Sequence, residues 1–398
     1  MLRTGSTERG LDDPLVPRLR EFRTTIFAEM TALAVRLGAV NLGQGFPDTD
    51  GPPSMLAAAQ DAIASGANQY PPGPGVPALR HAIAAHRAER YGLEHDPDGE
   101  VLVTVGATEA VTSALMALTE TGDEVVVFEP FYDSYPAAIA MAGAVRRPVT
   151  MRPDGPNGRF TFDPADLDTA IGPAARVLLL NSPHNPTGTV FTEQELGLIA
   201  ERCIGHDLIA VTDEVYEHLT YDGVRHRPLA TFPGMARRTV SISSAGKAFS
   251  VTGWKVGWVC GPRALVSAVQ TVKQFTTFTA SAPFQLAVAG ALGNELAWVD
   301  ALRDALQDKR DRLAAGLAAA GFGVHPTAGT YFIQTDVRPM GVADGTAYAR
   351  ALPERLGVVA IPSSVFYDDK DAGRPFVRFA FCKRDQVIDD AVRRLAAG

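Results

Sequence analysis

Between residues 100 and 262 the chain repeats one pattern, a short apolar run rich in β-branched residues and closed by Gly, Pro, Asn or Asp. The runs occupy residues 101–107, 124–130, 145–151, 176–183, 209–215, 239–245 and 256–262. They are continuous rather than alternating, as strands buried on both faces should be. Between most of them lie stretches of helical periodicity, at 109–120, 135–142 and 192–206. The last is opened by Thr192 with Glu195 three residues on, the signature of a capping box. Strand alternating with helix predicts an α/β fold, a mostly parallel, doubly wound seven-stranded sheet between helices. Its ligand is expected at the carboxyl ends of the strands.

Outside this block the texture changes. Residues 287–321 are Ala/Leu/Arg-rich and helical in period, followed by shorter runs at 329–335, 357–361 and 376–381 and an amphipathic helix from Asp385. That pattern predicts a smaller α/β domain. Residues 12–46 hold a helix of their own with no place in the central alternation, so they pair with the C-terminal part. The expected organisation is a flexible tail over 1–11, a large domain over 47–288, and a small domain from 12–46 and 289–398.

Composition narrows the partners. The 398 residues carry 37 Lys and Arg against 45 Asp and Glu, a net charge of −8. No polybasic face is available to neutralise a phosphate backbone, so no nucleic-acid partner is expected. No stretch approaches the roughly 18 apolar residues of a spanning helix, and the N-terminus lacks the apolar region of a secretory signal. Cys203, Cys260 and Cys382 are far apart with no C-x-x-C pair, which suits a reduced, cytoplasmic protein. The eight histidines form no H-x-x-x-H or H-E-x-x-H pattern, so no metal site is expected.

Five local features carry candidate chemistry. Ser243-Ser244-Ala245-Gly246-Lys247 follows an apolar run and leads into Thr252-Gly253-Trp254-Lys255-Val256-Gly257-Trp258. A lysine at the end of a buried strand among small residues is a good desolvated amine, able to form a Schiff base, although most single lysines are simply solvated. In Val211-Thr212-Asp213-Glu214-Val215-Tyr216 a strand-end acid could hold a heteroaromatic nitrogen protonated, or merely cap a helix. Asn181-Ser182-Pro183-His184-Asn185-Pro186-Thr187-Gly188 is a rigid turn presenting an amide, and could be no more than a turn. Gly106-Ala107-Thr108-Glu109 leaves backbone N–H groups at a helix start for a phosphate, without a dinucleotide or P-loop pattern. Arg378, between Val377 and Phe379, is a buried-type arginine that pairs with a carboxylate of either protein or substrate.

Together, and in this order, these features resemble the class I/II aminotransferases, pyridoxal-phosphate enzymes of fold type I. The likeness runs from about Phe27 to the C-terminus. It rests on N-P-T-G at 185–188, D-E-V-Y at 213–216, and S-x-x-K with T-G-W-K-x-G-W at 244–258. The resemblance implies that Lys247 carries pyridoxal 5′-phosphate as a Schiff base and moves the substrate proton. It implies that Asp213 keeps the pyridine ring charged, and that Asn185 and Tyr216 bond its phenolic oxygen. Gly106, Ala107, Thr108, Ser244 and Lys255 would hold the phosphate; relatives often carry Arg where Lys255 stands. Tyr132 would stack on the ring, and Arg378 would clamp the substrate α-carboxylate with Asn185 and the Gly45 loop. Family members share active sites in a homodimer. Tyr70 matches a tyrosine that crosses to the partner's phosphate, and Phe278 an aromatic that reaches the partner's pocket.

Within the family, Asn41-Leu42-Gly43-Gln44-Gly45-Phe46-Pro47-Asp48, Glu129-Pro130-Phe131-Tyr132-Asp133 and Phe379-Ala380-Phe381-Cys382-Lys383 are most similar to two groups. These are the kynurenine/glutamine transaminase K enzymes and the actinobacterial N-succinyldiaminopimelate aminotransferases of lysine biosynthesis. The second is closer over the whole length, and Thr279 stands where the first tends to have histidine. Phe46, Tyr132, Phe275 and Phe278 make the expected pocket apolar, suited to a bulky side chain or the arm of a succinylated diamino acid. The implied acceptor is a 2-oxo acid such as 2-oxoglutarate. A cysteine-conjugate or cystathionine β-lyase would use the same Lys247 and Asp213, so that alternative stays open.

Overall fold

The computed structural model describes residues 14–23 and 25–397; the tail expected over 1–11 lies outside them. All seven apolar runs of the central block form one sheet: β1 (Val101–Thr104), β2 (Glu124–Glu129), β3 (Val145–Thr150), β4 (Ala175–Asn181), β5 (Ile209–Asp213), β6 (Thr239–Ser244) and β7 (Gly257–Cys260). Their order is β1-β7-β6-β5-β4-β2-β3. Neighbours are parallel except around β7, which lies antiparallel between β1 and β6, with Gly257 opposite both Thr104 and Ser244.

Period-two geometry explains why the runs are continuously apolar, because alternate residues enter two different cores. Val125, Val127, Leu179, Val211 and Ile242 face one core, while Val126, Phe128, Leu178, Leu180 and Ala210 face the other. Burying each such side chain fully contributes about 1.5–3 kcal/mol. The edge strand β3 departs from the expectation of burial on both faces. Its Val145 is exposed, and Arg146 and Arg147 reach Asp368 and Glu124 as ion pairs. An edge strand carrying charge is a poor template for further strand pairing.

The helices used below are α1 (Ile26–Leu37), α2 (Pro77–Tyr91), α3 (Gly106–Leu118), α4 (Ser134–Ala142), α5 (Glu193–Gly205), α6 (Ala282–Asn294), α7 (Leu296–Ala319) and α8 (Asp385–Leu395). The capping box at the start of α5 is formed, with Thr192 and Glu195 bonding each other's backbone N–H. The segment expected as one helical region over 287–321 is two helices, α6 and α7, separated at Glu295. A second, antiparallel four-stranded sheet includes Phe332–Asp336 and Phe376–Ala380. Val40–Asn41, just after α1, pairs in parallel with Val358–Val359, which joins the N-terminal helix to the C-terminal part of the chain. Among the described residues no helix is long and apolar enough to cross a membrane.

Candidate active site

The carboxyl ends of β1, β2, β4, β5 and β6 open into one cleft with a volume of about 390 Å³. Lys247, Asp213, Tyr216, Asn185, Gly106, Ala107, Thr108, Tyr132, Ser244, Lys255, Gly45, Phe46 and Arg378 all line it. Residues far apart in sequence meet there because each closes a strand of the sheet or faces that rim from the smaller sheet.

Lys247 lies one turn beyond β6 on the short helix Ala245–Ala248. Its Nζ donates to the Tyr331 hydroxyl at 2.7 Å and lies 3.5 Å from the Gly45 carbonyl, to which Tyr331 also donates. Burial pushes this amine down to about 8, so it gives up its proton far more readily than a solvated lysine. Gly45 is packed tightly beside Phe332, where a Cβ would fall 2.4 Å from the ring.

Asp213 ends β5. Its Oδ2 accepts from the Tyr135 hydroxyl at 2.6 Å and its Oδ1 from the Val215 amide at 3.3 Å. Burial raises this carboxyl above its ordinary range, opposed by the Tyr135 hydrogen bond, and among the described residues no cation lies within ion-pair distance. A buried carboxylate that faces a cleft with no cation in ion-pair contact is suited to a charged heteroaromatic N–H. Asn181 ties the neighbouring strand end to it, with Nδ2 donating to the Asp213 carbonyl at 2.9 Å and Oδ1 accepting from the Asn185 amide at 2.7 Å. Asn185 is thereby set beside Asp213.

At the end of β1, Gly106 takes φ +76°, and a Cβ there would meet Lys255 Nζ at 3.1 Å. The first-turn N–H groups of α3 and the Lys255 ammonium thus converge on one corner of the cleft, a site for an anion. Helix α3 begins at Gly106, earlier than the 109 expected from its apolar period, because the phosphate-type loop is itself the first turn.

Arg378 is 1% exposed and projects from the smaller sheet. It donates to Asn185 Oδ1 at 3.0 Å and to the Gly43 carbonyl at 3.1 Å, and its guanidinium carbon lies 3.9 Å from the Phe332 ring centroid. Burial brings it down to about 10. Among the described residues no carboxylate lies within ion-pair distance of it.

Tyr70, Phe275 and Phe278 do not line this cleft. Tyr70 and Phe275 are each 82% exposed, and the Tyr70 ring packs edge-on against Phe278 at 5.3 Å. Phe275 is therefore corrected as a wall of this chain's own cleft; it ends the exposed side of the helix Arg263–Thr276. Sequence reasoning missed Tyr135 and Tyr331, whose hydroxyls hold Asp213 and Lys247. Both stand in apolar contexts that read as ordinary core, and no local signal distinguishes them.

The profile of the family "Aminotransferase class I and II" matches residues 38–395. The chain belongs to this family. The aminotransferase is 56% identical over 389 residues to a "Probable N-succinyldiaminopimelate aminotransferase DapC" of Mycobacterium tuberculosis, covering 96% of this chain and 98% of that one. It is 38% identical to the "Kynurenine--oxoglutarate transaminase 3" of Mus musculus, over 94% of this chain and 88% of the relative. The solved structure of the N-succinyldiaminopimelate aminotransferase from Mycobacterium tuberculosis superposes with a TM-score of 0.94 at 57% identity, covering 96% of this chain and 99% of that one. The fold is thus fold type I, and the aminotransferase uses pyridoxal phosphate. The cleft fits that cofactor: an unpaired buried carboxylate for the ring nitrogen, a buried amine for the aldehyde, and a glycine-lined cationic corner for the phosphate.

Proposed function

We propose that this aminotransferase takes N-succinyl-LL-diaminopimelate as amino donor and a 2-oxo acid such as 2-oxoglutarate as acceptor, alternating between the two in ping-pong fashion. The observation that carries the site assignment is Arg378, a buried guanidinium in the cleft with no carboxylate within ion-pair distance among the described residues. Every substrate of such a reaction brings an α-carboxylate, and a planar fork matches it bidentately. The 56% identity to the mycobacterial relative over nearly the whole chain supports the choice of donor.

In this assignment Lys247 would hold the cofactor at its aldehyde and would move the proton at the substrate α-carbon. Its lowered proton affinity suits both attack as a free amine and transfer as a base. Bound in the cleft, pyridoxal phosphate supplies the electron sink for the pair left at that carbon and carries the amino group between half-reactions. Asp213 keeps the ring nitrogen protonated, and Tyr135 holds Asp213 in place. Asn185 has its amide oxygen committed to Arg378, leaving the amide N–H groups for the phenolic oxygen, beside Tyr216. Lys255, Ser244 and residues 106–108 hold the phosphate, and Tyr132 covers the ring.

We further propose a body over 47–288 that binds the cofactor and a smaller domain from 12–46 and 289–398 that brings Arg378 to it. We also propose a cytoplasmic homodimer. The exposed Tyr70–Phe278 pair is placed to enter a partner's cleft, and three buried free cysteines suit a reducing compartment.

One observation favours a second donor class. The cationic side chains lining the cleft among the described residues are Lys247, Lys255 and Arg378, each with a role already, while Phe27, Phe46 and Tyr132 supply apolar wall. That lining suits a bulky aromatic amino acid such as kynurenine. The deciding experiment mixes cofactor-loaded protein with one amino acid at a time, without any oxo acid, and follows the cofactor spectrum. Conversion to the amino form fastest with N-succinyl-LL-diaminopimelate supports the proposal, and fastest conversion with kynurenine or phenylalanine replaces it. Return to the starting spectrum with release of pyruvate from cystathionine would make the enzyme a β-lyase.

A further inference from the structure

Away from the cleft, α2 carries His86 and Arg87 against the segment that follows Asp213, where Glu214, Glu217, His218 and His226 form a buried polar group with them. Arg87 donates to Glu214 at 2.8 Å and lies 3.7 Å from Glu217. Glu214 also accepts from Thr212 at 2.7 Å and Ser241 at 3.1 Å, and Glu217 from Tyr91 at 2.7 Å and Ser243 at 2.5 Å. Carboxylates surrounded by donors are held ionised. One guanidinium, bonded to Glu214, therefore faces two negative charges, and Glu217 is the less compensated.

The rings of His86 and His218 lie 5.0 Å apart, and a nitrogen of each lies with a Glu217 oxygen inside a group whose members are all within 4.8 Å of one another. His86 is 4% exposed, and among the described residues neither of its ring nitrogens has a hydrogen-bond partner. A buried imidazole left so costs several kcal/mol unless something takes its lone pair.

We infer that His86, Glu217 and His218 form a binding site for a late first-row divalent metal ion of the zinc class. Two imidazoles and a carboxylate are borderline donors suited to such an ion, whereas magnesium and calcium take oxygen ligands. Tetrahedral zinc with bonds of about 2.0–2.1 Å holds its ligand atoms about 3.3 Å apart, so binding would draw together atoms that now lie within 4.8 Å of one another. Tyr91 and Ser243 orient Glu217 from behind, as outer partners of metal ligands do. A second cavity of about 500 Å³, sharing no lining residue with the cofactor cleft, has Tyr91, Glu217 and His226 in its wall and reaches the cluster on its Glu217 side. The ion would tether α2 to the segment that bears Asp213 and Tyr216.

The test uses tag-free, cofactor-loaded enzyme dialysed against a chelator and then titrated with Co²⁺. The expected result is one ion per chain with visible d–d absorption, displaced by Zn²⁺. His86→Gln and His218→Gln are each expected to weaken binding at least tenfold while the cofactor spectrum is kept. Absence of both the Co²⁺ band and retained Zn²⁺ overturns the site, as does binding unchanged in both variants. Should neither variant fold, X-ray absorption on the bound ion of the native enzyme decides: two imidazole ligands support the assignment, and fewer overturn it.

Discussion

Replacing Arg378 by lysine keeps a positive charge in the cleft and removes the fork. In the native structure two guanidinium nitrogens are anchored by Asn185 and the Gly43 carbonyl while the plane lies 3.9 Å above Phe332, so a carboxylate meets a donor pair already fixed in orientation. A lysine ammonium offers one point of contact, losing one charge-assisted hydrogen bond, about 1.5–3 kcal/mol, and about 1 kcal/mol of stacking on the ring. The sum is roughly 2.5–4 kcal/mol, which at 1.36 kcal/mol per tenfold lowers kcat/KM by about 10²–10³. The assay compares kcat/KM of native and Arg378→Lys enzyme for three amino acids of different side chain and for 2-oxoglutarate. Because the α-carboxylate is common to all, the loss is expected to be similar for each and to appear chiefly in KM. A loss confined to one substrate would move Arg378 to side-chain recognition and refute the assignment.

Lys247→Ala is expected to abolish the Schiff-base absorption and lower kcat by at least 10²–10⁴, with the far-UV circular dichroism unchanged; a variant keeping both absorption and turnover would sink the assignment. Gly106→Ala puts a Cβ on a residue at φ +76° and 3.1 Å from Lys255 Nζ, so cofactor dissociation, followed by dialysis and absorbance, should quicken about tenfold or more. Unchanged retention would place the phosphate elsewhere. His184, buried and hydrogen-bonded at 2.8 Å to Thr187, is held down to about 3 by burial, whereas the unfolded chain protonates it near 6.5. The unfolded state then binds more protons between those values, so this contribution is complete above about pH 6.5 and is lost as pH falls toward 3, by up to about 1.36 kcal/mol per pH unit. Urea unfolding midpoints at pH 7, 6 and 5 should fall less steeply in His184→Gln than in the native enzyme, and parallel lines would remove His184 as the source.

The sheet was legible because its signal is local: seven β-branched runs, each with a Gly, Pro, Asn or Asp stop, map onto seven strands. The cleft was legible because its chemistry stands at strand ends, where Lys247, Asp213, Asn185 and Gly106 follow directly on apolar runs. What escaped was set by contacts across the chain. Tyr135 lies on α4 and reaches Asp213 over 78 residues, and Tyr331 reaches Lys247 over 84. Neither neighbourhood differs in sequence from packed core. The exposure of β3 depended on its place at the sheet edge, which follows from strand order and not from its own residues. His86 meets Glu217 and His218 only through the packing of α2, so no spacing motif could announce that cluster.

The reversed strand β7 has a consequence for assembly of the enzyme. Because it runs against its neighbours, the one loop from Ser244 to Gly257 starts and ends at the same rim, with Lys247 near one end and Lys255 near the other. A single residue of slippage between β6 and β7 would displace one end of that loop by about 3.3 Å and turn alternate side chains to the wrong face. In the assignment proposed above, Lys247 at the cofactor's aldehyde and Lys255 at its phosphate would then no longer match one rigid small molecule. On that assignment cofactor uptake would act as a gauge of strand pairing: chains that mispair this hairpin would not engage both ends of the ligand, and the fraction loaded would report the fraction correctly woven.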